Sequence, residues 1–272
     1  MWSLIKERLG PTLVDDISSD ILKYDTNIES SEFNRSGKKY FATNFKRYKF
    51  LKSILKSIYY PLQAYYKNPL LYHAFILSKS PGGNSTSCHQ DIVFWRDLEM
   101  EPRTAITFWV PLINVNNKNG CLKLIPTEKT ENILHLNKID KKIYSHKDFK
   151  SQNSGFPKEI KEKYILERCK PVEIDSGNWI AFDCYSPHSS CSNISEYHRL
   201  ALKVVVLEKD NLLKNNKKLE QLLTINQILK FPSFLGYILF LFSNSSRINN
   251  PKNRVLLKIK SLTSKILFMF LK

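Results

Sequence analysis

The sequence has no hydrophobic run long enough to form a membrane-spanning helix. Such a helix needs about 18 or more apolar residues in succession, and the longest run here is about twelve residues, from Phe231 to Phe242. Glycine is also scarce, with 8 residues among 272, which excludes collagen-like and low-complexity classes. Hydrophobic residues make up 42% of the chain, enough for a packed core. We therefore expect a globular protein that does not span a membrane.

Cysteine is too sparse and too scattered to predict a disulfide framework. The chain has 5 cysteines, an odd number, in a sequence long enough to fold without covalent links. Cys184, His188 and Cys191 form the one close group and could belong to a zinc site, but a second ligand pair at finger-like spacing is missing. The first residues lack the apolar segment of a secretory signal. We expect a cytoplasmic protein.

Acidic residues are outnumbered, with 25 Asp and Glu against 42 Lys and Arg and a net charge of +17. No helix-turn-helix, zinc-finger or base-stacking pattern accompanies this charge, so we do not expect nucleic acid binding. Residues 209–272 hold 12 basic and 2 acidic residues, and apolar residues recur at helical spacing from Val255 to Phe270. Two readings are open for this basic amphipathic segment. Residues 231–272 contact an anionic membrane surface peripherally, or the segment packs on the main domain.

The order of helical and strand-like segments predicts a mainly β fold with flanking helices. The first 70 residues read as helical, with a helix from Phe50 that Pro61 interrupts. Short runs rich in β-branched and aromatic residues follow, separated by turn residues. Strands in the middle and helices at both ends favour a sandwich or jelly roll. We expect one domain over residues 1–208 and a basic helical extension over residues 209–272.

One predicted hairpin and one long irregular segment lie in the middle of the chain. Asn119-Gly120 is a hairpin or bulge signal, which makes Cys121–Pro126 the expected partner of the strand that ends near Leu112. Residues 127–170 are charged and have no clear periodicity, as is common in substrate loops.

Two histidines and an aspartate form a candidate metal site. His89 and Asp91 are two residues apart where a strand is expected to begin, so their side chains would point to the same side. His188 precedes the last long strand and could supply a third ligand. Two histidines and one carboxylate form the facial triad of non-haem Fe(II) oxygenases. The tripeptide at His89 also fits an ordinary hydrogen-bonded pair, so the triad needs further support.

Arg199 supplies that support. It begins a strand-like run eleven residues after His188, and an arginine held by a strand can bind a carboxylate with two parallel hydrogen bonds. A dicarboxylate co-substrate that chelates iron at one end needs such a partner at its other end.

Three motifs in this order resemble the phytanoyl-CoA dioxygenase family of Fe(II)- and 2-oxoglutarate-dependent oxygenases. They are His89-Gln90-Asp91, then Trp109-Val110-Pro111-Leu112 with Asn119 to Pro126, then His188-x-Ser190-x-x-Asn193-x-Ser195-x-x-x-Arg199. The resemblance covers roughly residues 71–207 and implies a double-stranded β-helix, the cupin-like jelly roll.

The resemblance also implies the roles of the site residues. His89, Asp91 and His188 would bind iron, and Arg199, Ser190 and Lys79 would bind 2-oxoglutarate. With dioxygen, the site would hydroxylate a small-molecule or lipid-like metabolite and release succinate and CO2. Family members usually continue the Ile-Pro motif with Gly-Ser-His, where this chain has Thr127-Glu128-Lys129, so its substrate region differs. The alternatives are a non-catalytic jelly-roll binding module that associates with a membrane surface through its basic tail, and a zinc or other cupin-type enzyme.

Overall fold

The computed structural model describes ten strands and four helices. It covers residues 2–24, 37–42, 44–63, 66–91, 104–125, 169–208, 210, 219 and 222–243. The helices are α1 (Pro11–Tyr24), α2 (Phe45–Gln63), α3 (Ile225–Lys230) and α4 (Ser233–Ser243). The strands are β1 (Trp2–Arg8), β2 (Gly37–Tyr40), β3 (Pro69–Lys79), β4 (Thr86–His89), β5 (Ala105–Pro111), β6 (Leu122–Leu124), β7 (Lys170–Val172), β8 (Asn178–Asp183), β9 (His188–Ser190) and β10 (Arg199–Glu208).

The strands form two antiparallel sheets. The larger has the order β1-β8-β5-β10-β3-β2 and the smaller the order β4-β9-β6-β7. One buried cluster joins the inner faces of both sheets, with Trp109, Ile180 and Ala201 from the larger sheet and Leu122 and Leu124 from the smaller. The space between the sheets is therefore a packed interior.

The side chains of strand β10 alternate between the two faces of the larger sheet. Leu200, Leu202, Val204 and Val206 point outward into a core built with the helices. Arg199, Ala201 and Lys203 alternate with them and point toward the smaller sheet, because successive side chains of a strand lie on opposite faces. The charged side chains of Arg199 and Lys203 therefore enter the interior between the sheets.

The helices cover the outer face of the larger sheet. Ile54 and Ile58 of α2 are fully buried there with Ile225 and Ile228 of α3. Tyr48 of α2 contacts the aromatic rings of α4. The described part of the predicted C-terminal extension thus packs on the main body, and the division at residue 208 stays a prediction. Among the described helices, none combines the length and apolar character that crossing a bilayer requires. The amphipathic segment from Val255 lies outside the described residues.

The N-terminal region differs from the prediction of an all-helical segment. Strands β1 and β2 lie within it and form the two edges of the larger sheet. Edge strands are short and often charged, and β2 reads Gly-Lys-Lys-Tyr, so their pattern is weak. Helix α2 also continues past Pro61 to Gln63, because a proline in the last turn removes only one helical hydrogen bond.

The predicted pairing of the strand from Cys121 was wrong. Strand β5 pairs with β10 and β8, whereas β6 pairs with β7 and β9 in the other sheet. The turn before β6 contains Gly120 at φ 91°, and it carries the chain from one sheet to the other. Turn residues indicate a change of direction but not which strand the chain joins next. Most of the predicted loop 127–170 lies outside the described residues.

Candidate metal site and adjoining anion site

Strand pairing brings the two candidate histidine ligands together. The Cα atoms of His89, the last residue of β4, and His188, the first residue of β9, are direct partners in the smaller sheet. Their ring centroids are 4.2 Å apart. Asp91 lies just beyond the end of β4, so it does not share a strand face with His89 as the sequence predicted. The turn after His89 instead directs Asp91 toward the larger sheet.

The three side chains form a buried group with the geometry of a metal site. Their ligand atoms all lie within 4.8 Å of one another. Asp91 Oδ1 is 3.9 Å from His89 Nε2 and 3.7 Å from His188 Nε2. Nδ1 of His188 lies 3.0 Å from the carbonyl oxygen of Ser186, so the ring proton belongs on Nδ1 and Nε2 carries the lone pair that a cation would bind. The predicted zinc pair, Cys184 and Cys191, is not part of this group.

The carboxylate of Asp91 is also held from the larger sheet. Thr107 Oγ1 donates a hydrogen bond of 2.8 Å to Oδ2. Lys203 Nζ lies 2.7 Å from Oδ1 and 2.6 Å from Oδ2. Burial alone would raise the pKa of Asp91, but the charge of Lys203, followed by His188 and His89, holds it well below its usual range. Asp91 is therefore ionised at neutral pH.

A second group, of positive charge, lies along the same interior. Arg199 of β10 and Lys79 of β3 are direct Cα partners, and both side chains are buried. Lys79 Nζ donates to Ser190 Oγ at 2.8 Å and to the carbonyl of Cys191 at 2.6 Å. The Arg199 guanidinium lies 5.6 Å from the centre of the Trp109 ring. The structure thus brings together Arg199, Ser190 and Lys79, the three residues for which the family resemblance implies co-substrate binding.

These two cations lack an anionic partner within the described residues. Nε and Nη1 of Arg199 are buried and form no hydrogen bond there. Burial, followed by the charge of Arg199, lowers the pKa of Lys79 to about 7. Burial lowers the pKa of Arg199 to about 10, so it stays protonated at neutral pH. Unpaired N–H groups on a buried cation are costly, and a bound carboxylate would satisfy them.

Gly120 makes room beside this pair. A Cβ atom at this position would lie 3.0 Å from Lys79 Cδ and 3.6 Å from Arg199 Nε. The positive φ of Gly120 also disfavours any other residue. The turn that carries the chain between the sheets therefore leaves space for the two cationic side chains.

The spacing of the two groups is set by β9. Ser190 follows His188 by two residues, so the two side chains share a face of the strand about 7 Å apart. The metal group and the cationic group are consequently neighbours in one interior.

A sequence model of the phytanoyl-CoA dioxygenase family matches residues 28–201 of the chain. The chain belongs to this family. Phytanoyl-CoA dioxygenase 1 from Oryza sativa subsp. japonica is 28% identical over 167 residues, which are 61% of this chain and 53% of that protein. The chain thus spans about half the length of this curated family member.

Solved structures confirm the predicted jelly-roll fold. EctD from S. alaskensis, crystallised with 2-oxoglutarate and 5-hydroxyectoine, has a TM-score of 0.53 and 16% identity, covering 78% of this chain and 74% of its own. The epimerase SnoN, in complex with Fe3+, alpha-ketoglutarate and nogalamycin RO, has a TM-score of 0.52 and 16% identity, covering 76% and 78%. AviO1 from Streptomyces viridochromogenes has a TM-score of 0.51 and 12% identity, covering 79% and 92%.

Sequence reasoning missed Lys203 and Thr107. Lys203 is the lysine within the apolar run Leu200–Leu207 of β10, and that isolated charge in a buried strand was the available signal. Thr107 has no comparable signal, because threonine is common in strands.

Proposed function

We propose that this member of the phytanoyl-CoA dioxygenase family is an Fe(II)- and 2-oxoglutarate-dependent dioxygenase that hydroxylates a small-molecule or lipid-like metabolite. One observation carries the proposal: a buried group of metal ligands adjoins a buried cationic group that has unpaired N–H donors. The co-substrates in the similar structures of EctD and SnoN support the same reading.

The donor set fits Fe(II). Nε2 of His89, Nε2 of His188 and one oxygen of Asp91 would bind the ion and leave three positions open. Bound there, Fe(II) would supply the redox chemistry that couples conversion of 2-oxoglutarate to succinate and CO2 with oxygen insertion into a C–H bond. The protein orients the ligands through the Ser186 carbonyl behind His188 and through Thr107 at Oδ2 of Asp91. Both contacts keep the metal-facing atoms directed into the interior.

The cationic group fits the far carboxylate of 2-oxoglutarate. An extended five-carbon chain places its two carboxyl carbons about 5 Å apart, which suits the spacing of about 7 Å between His188 and Ser190 along β9. Arg199 would donate from Nε and Nη1, the atoms that lack partners among the described residues. Lys79 and Ser190 would complete the anion site. Trp109 packs beside Arg199.

Anaerobic titration with Fe(II) and then 2-oxoglutarate tests this proposal. The visible charge-transfer band of the chelated pair is expected in the unaltered chain and is expected to be lost in His188→Ala. In Arg199→Met the band should need a higher 2-oxoglutarate concentration by about tenfold or more, because a hydrogen bond to a charged group contributes about 1.5 to 3 kcal/mol. His73→Gln and Lys118→Met, which lie outside both groups, serve as matched controls. Iron binding without recruitment of 2-oxoglutarate would contradict the proposal.

A second candidate function, a non-catalytic jelly-roll binding module, is favoured by Lys203. Its ammonium group contacts both oxygens of Asp91, so a cation of the chain itself already neutralises this buried carboxylate. This reading predicts that the chain binds neither Fe(II) nor Mn(II) at micromolar concentration, and calorimetry with Mn(II) alone distinguishes the two candidates.

Peripheral membrane contact is a further part of the proposal. Phe234 of α4 is 67% exposed. The preceding residue, Ser233, lines a groove of about 680 Å³ that Lys49, Lys52 and Lys56 of α2 also line. Exposed apolar groups beside lysines suit an anionic bilayer surface. Co-sedimentation with phosphatidylserine vesicles is expected, with loss in Phe234→Ser and retention in Ile194→Ser, a control at another exposed apolar residue. Equal binding to neutral vesicles would contradict it.

A further inference from the structure

Two free cysteines face each other directly behind the proposed co-substrate site. Leu122 of β6 pairs with Ser190 of β9, which places Cys121 opposite Cys191. The amide of Cys191 donates a hydrogen bond of 2.9 Å to the carbonyl of Cys121. The two Sγ atoms are 3.7 Å apart, and both side chains are buried. The thiols are therefore in contact across neighbouring strand ends.

The backbone geometry allows a disulfide between these thiols. Opposed residues of an antiparallel hydrogen-bonded pair have Cα atoms about 5.5 Å apart, inside the range of about 4.4 to 6.8 Å found for disulfides. Closing the 3.7 Å gap between the sulfur atoms to a bond of about 2.05 Å needs side-chain rotation and a small approach of the two strand ends.

The pair is also chemically unequal. The contact with the Cys121 thiol, together with the charges of Lys123 and Lys79, lowers the pKa of Cys191 to about 7 even though burial opposes this shift. The same contact, with burial, raises the pKa of Cys121. Cys191 is thus the better nucleophile, with Cys121 beside it as the resolving thiol.

The cationic site depends on the same residues. The carbonyl of Cys191 accepts the hydrogen bond from Lys79 Nζ, and that carbonyl lies 3.4 Å from where a Cβ of Gly120 would be. Rotation of the Cys191 side chain and tightening of the two segments would shift this carbonyl and the position of Lys79.

We propose that Cys121 and Cys191 form a reversible disulfide on reaction with hydrogen peroxide, and that this bond weakens the anion site at Lys79. The Cys191 thiolate attacks one peroxide oxygen, the O–O bond breaks, and hydroxide leaves and takes up a proton as water. Cys121 then attacks the sulfur of the resulting sulfenic acid; the S–S bond forms, the S–O bond breaks, and the proton of Cys121 leaves with hydroxide as a second water. Two thiols lose two electrons and one peroxide gains them.

Peptide mass spectrometry of the full chain tests the disulfide itself. After treatment with hydrogen peroxide, alkylation under denaturing conditions is expected to leave Cys121 and Cys191 unlabelled and joined, and dithiothreitol should restore both. Cys184→Ser should behave the same way, because that thiol is buried and its pKa is raised by burial. In Cys121→Ser, dimedone should instead trap a sulfenic acid on Cys191. Alkylation of both thiols after peroxide treatment would overturn the proposal.

The effect on the anion site rests on the proposed function and needs a second measurement. The dissociation constant of 2-oxoglutarate is expected to rise about tenfold in the oxidised chain, the equivalent of about 1.4 kcal/mol, and to be unaffected by peroxide in Cys121→Ser. A joined pair with unchanged affinity would overturn the link to Lys79. If the reduced chain does not bind 2-oxoglutarate at all, the proposed function is wrong. The mass spectra then still show whether Cys121 and Cys191 form a disulfide.

Discussion

Replacement of Lys203 with methionine tests whether the ammonium group of Lys203 and a metal ion compete for the carboxylate of Asp91. Methionine keeps a long unbranched side chain but removes the ammonium group that contacts both oxygens of Asp91. Asp91 is completely buried, and the Lys203 side chain is 16% exposed. The variant therefore leaves a buried carboxylate without its nearest positive charge.

The expected loss in the free energy of unfolding follows from the burial of Asp91. Removing one partner of a buried ion pair costs about 3 to 5 kcal/mol. Thr107 and the two histidines still contact Asp91, so we expect the lower end, about 3 kcal/mol. In a protein of this size each kcal/mol lowers Tm by about 2 to 4 °C, so the metal-free variant should melt about 6 to 12 °C below the unaltered chain.

Metal binding should change in the opposite direction. A divalent ion and Lys203 compete for Oδ1 of Asp91, the oxygen nearest both histidines. If a bound metal ion restores the full 3 kcal/mol of stability that the metal-free variant loses, the Kd of the variant for Mn(II) falls by about 100-fold. Thermal unfolding in chelator and calorimetry with Mn(II) measure both effects, with Lys170→Met on the exposed surface of β7 as the control. Unchanged melting of the metal-free variant, or weaker Mn(II) binding, would refute the competition.

Three further outcomes are expected. Affinity for 2-oxoglutarate should fall as the pH rises above about 7, because Lys79 has a pKa of about 7 and loses its charge there; Lys79→Met should remove this dependence in calorimetry. Gly120→Ala should cost about 1 to 3 kcal/mol in denaturant unfolding, since the residue has a positive φ and a Cβ would lie 3.0 Å from Lys79 Cδ. Asp20→Asn should lower the free energy of unfolding by about 3 kcal/mol, because it replaces the carboxylate that pairs with the buried Arg47 at 2.6 Å by a neutral amide; a stability unchanged from the parent would contradict this. Burial alone would raise the pKa of Asp20, but Arg47 and Lys46 lower it below its usual value. The contribution of Asp20 to stability is therefore lost in acid, as the pH falls through the folded-state pKa.

Family membership and fold were predictable because several motifs occur in one order along the chain. The spacing of the candidate site residues along the chain can be read without knowing which strands pair. These residues are His89, Asp91, His188 and Arg199. Their assignment to iron and 2-oxoglutarate stays a prediction, although the structure places them in two adjoining groups.

The contacts of Lys203 and of the cysteine pair were beyond sequence reasoning for a physical reason. Both depend on the register between strands that are distant in sequence: Lys203 contacts Asp91 from 112 residues away, and Cys121 faces Cys191 across 70 residues. Composition and spacing carry no information on such register. The edge strands β1 and β2 were missed because a strand at the edge of a sheet is often short and charged, so its sequence shows little of the alternation of apolar and polar residues that predicts a strand.

Strand β10 limits how this chain can vary in length. Four of its apolar side chains, Leu200, Leu202, Val204 and Val206, face the helical layer. Arg199 and Lys203 face the interior between the sheets. A deletion of one residue near Ala201 would exchange the two faces for part of the strand, placing charge against the helices and leucine in the anion or metal group. A substitution in β10 changes one side chain and leaves the others on their faces. An insertion or deletion moves every following side chain to the opposite face, so we expect it to destabilise the fold at almost every position of β10.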